Sequence, residues 1–90
     1  MTEAASSQAA PQMRDFVLGI AQALVDSPES VRVATDNGDS DPVLQVLVRE
    51  EDLERLQGKN GRTARSLRTI VAAAGQKLGS RFALDITTLE

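Results

Sequence analysis

The sequence predicts a single α+β domain in which helices cover one face of a three-stranded sheet. Apolar residues recur at spacings of three and four in two long stretches, which is typical of amphipathic helices. Three shorter stretches alternate between apolar and polar residues and are rich in β-branched side chains, as strands are. The segments follow in the order helix, strand, strand, helix, glycine loop, helix, strand, which buries one sheet face beneath the helices.

Length and composition restrict the classes of protein that the chain can belong to. Its 90 residues suffice for one domain with a modest core. It has neither cysteine nor histidine, so it lacks disulfides, thiolate metal sites and the usual general base. No apolar run has the length of a membrane span and no signal-peptide pattern is present, so we expect a cytoplasmic protein. We expect no metal and no cofactor.

Charge is distributed unevenly along the chain, although the formal net charge is only −3. Between Arg55 and Arg81 there are seven basic residues and no acidic one, whereas Asp26 to Glu54 holds nine acidic residues and two arginines. Two interpretations stay open: both stretches are ordinary solvated faces, or the second half carries a basic face that binds nucleic acid.

The first helix is predicted to follow a disordered N-terminal tail. Residues 1–12 are rich in Ala, Ser, Thr and Gln, carry one charge and show no apolar period, so we predict disorder there and a domain over 13–90. From Met13 to Val25 an apolar face appears, and Pro28 ends the helix. Its members are Met13, Phe16, Val17, Ile20, Ala21 and Leu24.

Two strands and a polar loop are predicted next. Val31 to Thr35 and Val43 to Arg49 read as strands, and Leu44, Val46 and Val48 of the second should face the core. The loop from Asp36 to Pro42 holds three aspartates without the spacing of a calcium-binding EF-hand. We therefore predict a solvated hairpin loop.

The second half contains two helices and the last strand. A short helix is predicted from Glu50 to about Leu56 or Gln57, with acidic residues in its first turn where they suit the helix dipole. A longer helix from Gly61 ends at Leu78, with Gly79 as its C-cap. Its predicted buried stripe is Leu67, Ile70, Val71, Ala74 and Leu78. The last strand, 81–87, should turn Phe82, Leu84 and Ile86 inward, so both phenylalanines, Phe16 and Phe82, are expected in the core.

Between the two helices lies Gly58-Lys59-Asn60-Gly61, followed by Arg62. Glycines at both ends permit positive φ and close approach of another backbone. The following helix directs N–H groups and its positive dipole end toward the loop, and Lys59 and Arg62 add full charges. This combination suits a phosphate backbone. Arg65 and Arg68 continue the basic series and would attract or flank the strand.

The stretch from Gly58 to Ile70, together with 23–29, resembles the signature of the KhpA (YlqC) family of small bacterial single-KH-domain RNA-binding proteins. The resemblance covers 16–86 and implies a type II KH domain without catalysis. It implies that Gly58, Lys59, Asn60 and Gly61 hold single-stranded RNA and that Arg62 extends this contact. It places the strand of Val46 and Val48, with the helix after the loop, beside a groove for bases.

The resemblance also implies a cellular role. Proteins of the family resemble RNA chaperones or post-transcriptional regulators linked to cell elongation and division. They pair with themselves, as homodimers, or with a KhpB (Jag or EloR) partner that also has a KH domain.

Gln57 departs from the family pattern, which usually has isoleucine directly before the first glycine. Its amide could contact a base edge or could weaken stacking in the groove. The predicted RNA-binding residues are therefore Gln57, Gly58, Lys59, Asn60, Gly61, Arg62 and Arg65.

Two other functions compete with RNA binding. In the first, the chain is a dimerisation or partner-docking module with weak or lost RNA binding, which Gln57, the acidic first half and the small residues from Ala72 to Gly75 favour. The second is an enzyme, which the sequence disfavours because the glycine loop is not a nucleotide-binding P-loop and no nucleophile accompanies the carboxylates at 50–54.

Overall fold

The element order of the computed structural model confirms the predicted α+β fold. The model describes residues 2–36 and 42–89, with side chains from Ala9 onward. The helices and strands are α1 (Thr2–Leu24), β1 (Arg32–Asp36), β2 (Val43–Val48), α2 (Glu50–Gln57), α3 (Arg62–Leu78) and β3 (Ala83–Thr88). Short 3₁₀ turns, Pro28–Ser30 and Lys59–Gly61, follow α1 and α2.

The sheet has the order β1-β2-β3, with β1 antiparallel and β3 parallel to β2. The central strand buries Leu44, Val46 and Val48 almost completely, as its alternation predicted. Leu84 and Ile86 of β3 are buried on the same side. Because alternate residues of a strand point to opposite faces, one sheet face packs against the helices, and the other is half-buried on β2 and mostly exposed on β3.

The first helix begins far upstream of the predicted start. It runs from Thr2, and Ala9 is only 1% exposed in the same core as Met13. The disordered tail predicted for 1–12 is therefore replaced by helix over the described residues from Thr2 to Gln12. Alanine and glutamine favour helix, and Ala9, Met13 and Val17 share one face at a spacing of four. The prediction missed the helix before Met13 because it looked for bulky apolar residues, whereas a small alanine such as Ala9 can also pack in the core.

Three large apolar residues predicted in the core are exposed. Phe16 and Ile70 are each 43% exposed and Leu24 is 39% exposed. Phe16 and Ile70 each precede a buried valine, and one residue step turns the chain by about 100° around a helix. The faces that meet the core are thus narrower than predicted, and placing Phe16 in the core was wrong. Phe82, in contrast, is buried.

The hairpin loop lies outside the described residues at 37–41, so its prediction, including the aspartates at 39 and 41, stays untested. In the parts of the chain that the structure describes, no helix is long and apolar enough to cross a membrane. The same parts contain no group of three or more side chains that could hold a metal ion.

Candidate nucleic-acid interface

The glycine loop joins α2 to α3 in a tight turn in which three residues have positive φ. Gly58 has φ 76° and Gly61 has φ 73°, and Asn60 between them has φ 57°. Asparagine is one of the few non-glycine residues that adopts this conformation readily. The N–H of Gly61 donates to the carbonyl oxygen of Gly58 at 3.1 Å, which closes the turn.

The two glycines differ in their surroundings. The N–H of Gly58 donates to the carbonyl oxygen of Glu54 at 2.7 Å, which ties the loop to α2. A Cβ on Gly58 would overlap the Thr63 side chain and lie 2.8 Å from the Thr63 backbone nitrogen. A Cβ on Gly61 would meet nothing nearer than Nη2 of Arg65 at 3.9 Å. Gly58 is therefore enclosed by protein, whereas Gly61 borders open space.

Arg65 supports the exposed end of the loop from the first turn of α3. Its Nη2 donates to the carbonyl oxygen of Asn60 at 2.8 Å, and the N–H of Arg62 donates to the carbonyl oxygen of Lys59. No side chain caps the N-terminus of α3. The positive end of the helix dipole therefore faces the open side of the loop without a compensating carboxylate.

The basic residues differ in whether they are paired. Within the described part of the chain, Lys59, Arg62 and Arg65 make no ion pair, whereas three other arginines do. The pairs are Arg14–Asp15 at 3.3 Å, Arg49–Glu51 at 3.1 Å and Arg55–Asp26 at 3.0 Å. Unneutralised positive charge is thus concentrated at the loop and the start of α3.

Gln57 is the last residue of α2 and lies directly before the loop. Its side chain is exposed, and its amide makes no hydrogen bond to the described residues. The amide is therefore available to a ligand that reaches the loop.

The strand beside the two loop helices, α2 and α3, is β3 and not β2, the strand of Val46 and Val48 that the resemblance implied. Val46 and Val48 belong to the central strand β2, are at most 1% exposed and cannot line an open groove. The edge strand β3 is the one that contacts both α2 and α3. Nε of Arg68 donates to the carbonyl oxygen of Leu84 in β3 at 3.3 Å. Because β3 pairs in parallel with β2, the last strand of the chain lies at this edge. The order of the strands along the sequence does not reveal this arrangement.

Sequence reasoning missed the role of Asp52, which was interpreted only as a partner of the helix dipole. Asp52 is 2% exposed, and its two carboxylate oxygens accept hydrogen bonds from the backbone N–H groups of Asp26 and Ser27, each at 3.1 Å. It thereby fastens α2, which carries the loop, to the end of α1. Its position four residues before the buried Leu56 was the signal, because it places a carboxylate on the inward face of α2.

Comparison with known proteins identifies a family and several relatives that this chain resembles. The chain matches the family described as KhpA/KhpB, KH domain, over residues 14–86. It is 40% identical to the RNA-binding protein KhpA of Aquifex aeolicus over 74 residues, which cover 82% of this chain and 94% of the relative. It is 40% identical to the Treponema pallidum protein of that name over 72 residues, which cover 80% and 90%. For the Listeria monocytogenes protein the identity is 36% over 74 residues, covering 82% and 97%.

No solved structure matches the chain at a significant level. The family match spans both helices around the glycine loop, the strands β1 and β2, and β3 as far as Ile86. Together with the relatives, it confirms the resemblance that the loop signature indicated. The chain belongs to the KhpA/KhpB family of KH domains, which is non-enzymatic.

Proposed function

We propose that this protein is a non-catalytic RNA-binding protein that holds single-stranded RNA at the Gly58–Gly61 loop. One observation carries the proposal: the loop is open on the side of Gly61, and unpaired Lys59 and Arg62 flank that opening. The bacterial relatives bear the name RNA-binding protein KhpA, which supports RNA as the ligand.

The loop would capture the backbone of the RNA. The absence of a side chain at Gly61 lets a phosphate approach the main chain, and the uncapped N-terminus of α3 favours a negative charge there. Lys59 and Arg62 add charge–charge attraction, while Arg65 keeps the loop in place through Asn60. Phosphate contacts position a strand without reading its sequence, so binding should tolerate many sequences and weaken with salt.

Bases would lie between the loop helices and the edge of β3. Gln57 stands at the loop end of this space with a free amide, and Arg68 bridges α3 to β3 further along. We assign Gln57 to a base edge, because its amide offers both donors and an acceptor.

The cellular role that we propose is that of an RNA chaperone or post-transcriptional regulator linked to cell elongation and division. The family resemblance supplies this role, and capture of RNA through phosphates suits a chaperone because it does not depend on sequence. A cytoplasmic location, which the sequence predicts, would give the protein access to RNA; it stays a prediction.

The test is a double substitution, Lys59→Asp with Asn60→Asp, examined by gel shift with a short single-stranded RNA. Both side chains are exposed, and aspartate tolerates the left-handed conformation at position 60, so the domain should stay folded. We expect affinity to fall by at least about a hundredfold, because three units of charge change at the phosphate contact.

The matched control is Gln76→Glu with Lys77→Glu, which makes the same change of charge at exposed positions near the other end of α3. It should lower affinity only a few-fold through long-range repulsion. A folded loop variant that binds as tightly as the wild type would contradict the proposal. Equal losses in both double variants would reduce it to nonspecific attraction.

A second function, assembly with another KH domain, is favoured by the exposed apolar side chains of Phe16 and Ile70. They lie on α1 and α3, which pack against each other, and the exposed Ala73 lies within about 60° of Ile70 around α3. Contiguous exposed apolar surface is typical of protein interfaces. We propose a homodimer, or pairing with a KhpB-like (Jag or EloR) protein, through this surface.

Light scattering over a series of protein concentrations tests the assembly. Ile70→Ser should shift the mass toward the monomer, whereas the control Leu89→Ser, also at a residue 43% exposed, should not. A wild-type chain that stays monomeric at every concentration, alone and with a KhpB-like partner, while binding RNA tightly would contradict assembly.

A further inference from the structure

The outer face of α3 carries a shallow depression one turn beyond the glycine loop. It is about 320 Å³ in volume and is lined by Arg62, Arg65, Ser66 and Thr69. This face lies opposite the buried stripe that contains Leu67 and Val71, so it points away from the core. It is also distinct from the flank on which Arg68 contacts β3.

The lining of the depression consists of cations and hydroxyl groups without a carboxylate. Neither Arg62 nor Arg65 makes an ion pair with the described residues, and no acidic residue occurs in the sequence from Arg55 to Arg81. Cations that no carboxylate neutralises attract an anion from solution. The chemistry of the depression therefore favours a negatively charged ligand.

The hydrogen-bond donors in the depression are only partly used. Arg65 donates one N–H to the carbonyl oxygen of Asn60, and the other N–H groups of its guanidinium remain available to a ligand. The hydroxyl of Ser66 makes no hydrogen bond to the described residues, and the guanidinium of Arg62 is exposed. Thr69 donates its hydroxyl proton to the carbonyl oxygen of Arg65 at 3.1 Å, so it closes the far side without offering a donor. A phosphodiester, which only accepts hydrogen bonds, matches this set.

The position of the depression connects it to the loop. Arg62 and Ser66 are four residues apart, about 6 Å along the helix axis, and Arg62 directly follows Gly61. A strand whose phosphate lies at the open side of Gly61 can thus place another phosphate against Arg62 and Ser66.

We propose that this depression is a second phosphate subsite, at which the RNA backbone leaves the loop and continues along the outer face of α3. The inference rests on the proposed RNA binding at the loop. In it, Arg62 and Ser66 contact the second phosphate directly, whereas Arg65 serves both the loop and the subsite.

The test is the salt dependence of binding of a fluorescein-labelled oligouridylate, followed by anisotropy. Arg62→Gln should lower the slope of log K against log salt by about 0.7, the value for one phosphate contact on a single strand. Lys77→Gln removes the same charge near the other end of α3 and should leave the slope unchanged.

A second pair of variants probes the subsite without removing a cation. Ser66→Asp puts a carboxylate into the depression and should weaken binding by about tenfold at low salt. Ser66→Asn, similar in size but neutral, should change affinity less than about twofold. Because Ser66 is exposed, both variants should stay folded.

The possible outcomes separate the subsite from the function on which it rests. If the Lys59→Asp, Asn60→Asp protein loses binding while Ser66→Asp binds like the wild type, the subsite is wrong and the loop function stands. If Lys77→Gln lowers the slope as much as Arg62→Gln, general charge explains the effect and the subsite is wrong. If the folded wild type does not bind the oligouridylate, both proposals fail.

Discussion

The two ends of the glycine loop are built differently. At the Gly58 end the backbone is enclosed: its N–H bonds to α2, and Thr63 occupies the space in which a side chain would lie. At the Gly61 end the backbone has the same sign of φ but borders open space, with Arg62 and the uncapped start of α3 beside it. Gly58 is required by packing as well as by its backbone conformation, whereas Gly61 is required by conformation alone.

This difference separates support from binding. The enclosed end holds the loop on α2, which Asp52 in turn fastens to the end of α1. The open end is where a ligand can reach main-chain atoms and unpaired cations. Substitutions at the enclosed end should therefore act mainly on stability, and those at the open end mainly on RNA binding.

The largest expected effect is that of Gly58→Ala. A methyl group there would overlap Thr63 and would hold alanine at positive φ, so we expect about 3–4 kcal/mol of lost stability. Gly61→Ala places alanine in the left-handed helical region, at φ 73° and ψ 18°, without any overlap, and should cost about 1–2 kcal/mol. Urea denaturation of both variants checks the ratio. Equal losses would show that the ends do not differ.

Asp52→Ala should come next, at about 2–3 kcal/mol. It leaves the N–H groups of Asp26 and Ser27 without their charged acceptor. The matched control is Glu51→Ala on the same helix, where an exposed ion pair with Arg49 contributes less than about 1 kcal/mol. If the two variants melt at the same temperature, Asp52 does not fasten α2.

The smallest effect is expected for Gln57→Ile, which introduces the residue that the family resemblance implies at this position. Since glutamine is uncharged, the salt dependence of RNA binding should not change. Loss of an amide at a base edge should instead alter the preference among homopolymeric RNAs by up to about fivefold, the size of a single hydrogen bond. Anisotropy titrations with four homopolymers measure this, and a changed salt slope would count against a base contact.

Much of the fold follows from local patterns in the sequence. The alternation of Leu44, Val46 and Val48 gave the buried face of β2, and the glycine at 79 marked the end of α3. The glycine loop was located from glycine spacing and the basic residues that follow it. These features depend on neighbours along the chain, so the chain alone reveals them.

The errors concern properties that depend on distant partners. Whether Phe16 and Ile70 are buried depends on how wide a face each helix presents to the rest of the domain, and periodicity does not determine that width. The edge position of β3 depends on parallel pairing between strands separated by two helices. The burial of Asp52 depends on hydrogen bonds to backbone N–H groups more than twenty residues away in the chain. The early start of α1 depends on a core in which a small alanine can pack.

The most direct test of the loop as an RNA-binding site is an amide NMR titration of the intact protein with a short single-stranded RNA. We expect the largest shifts at Lys59 to Arg62 and at Ser66, and small shifts at Asp26 and Ser27, which contact Asp52 in the first turn of α2. Shifts confined to Phe16, Ile70 and their neighbours on α1 and α3, with the loop unchanged, would contradict it.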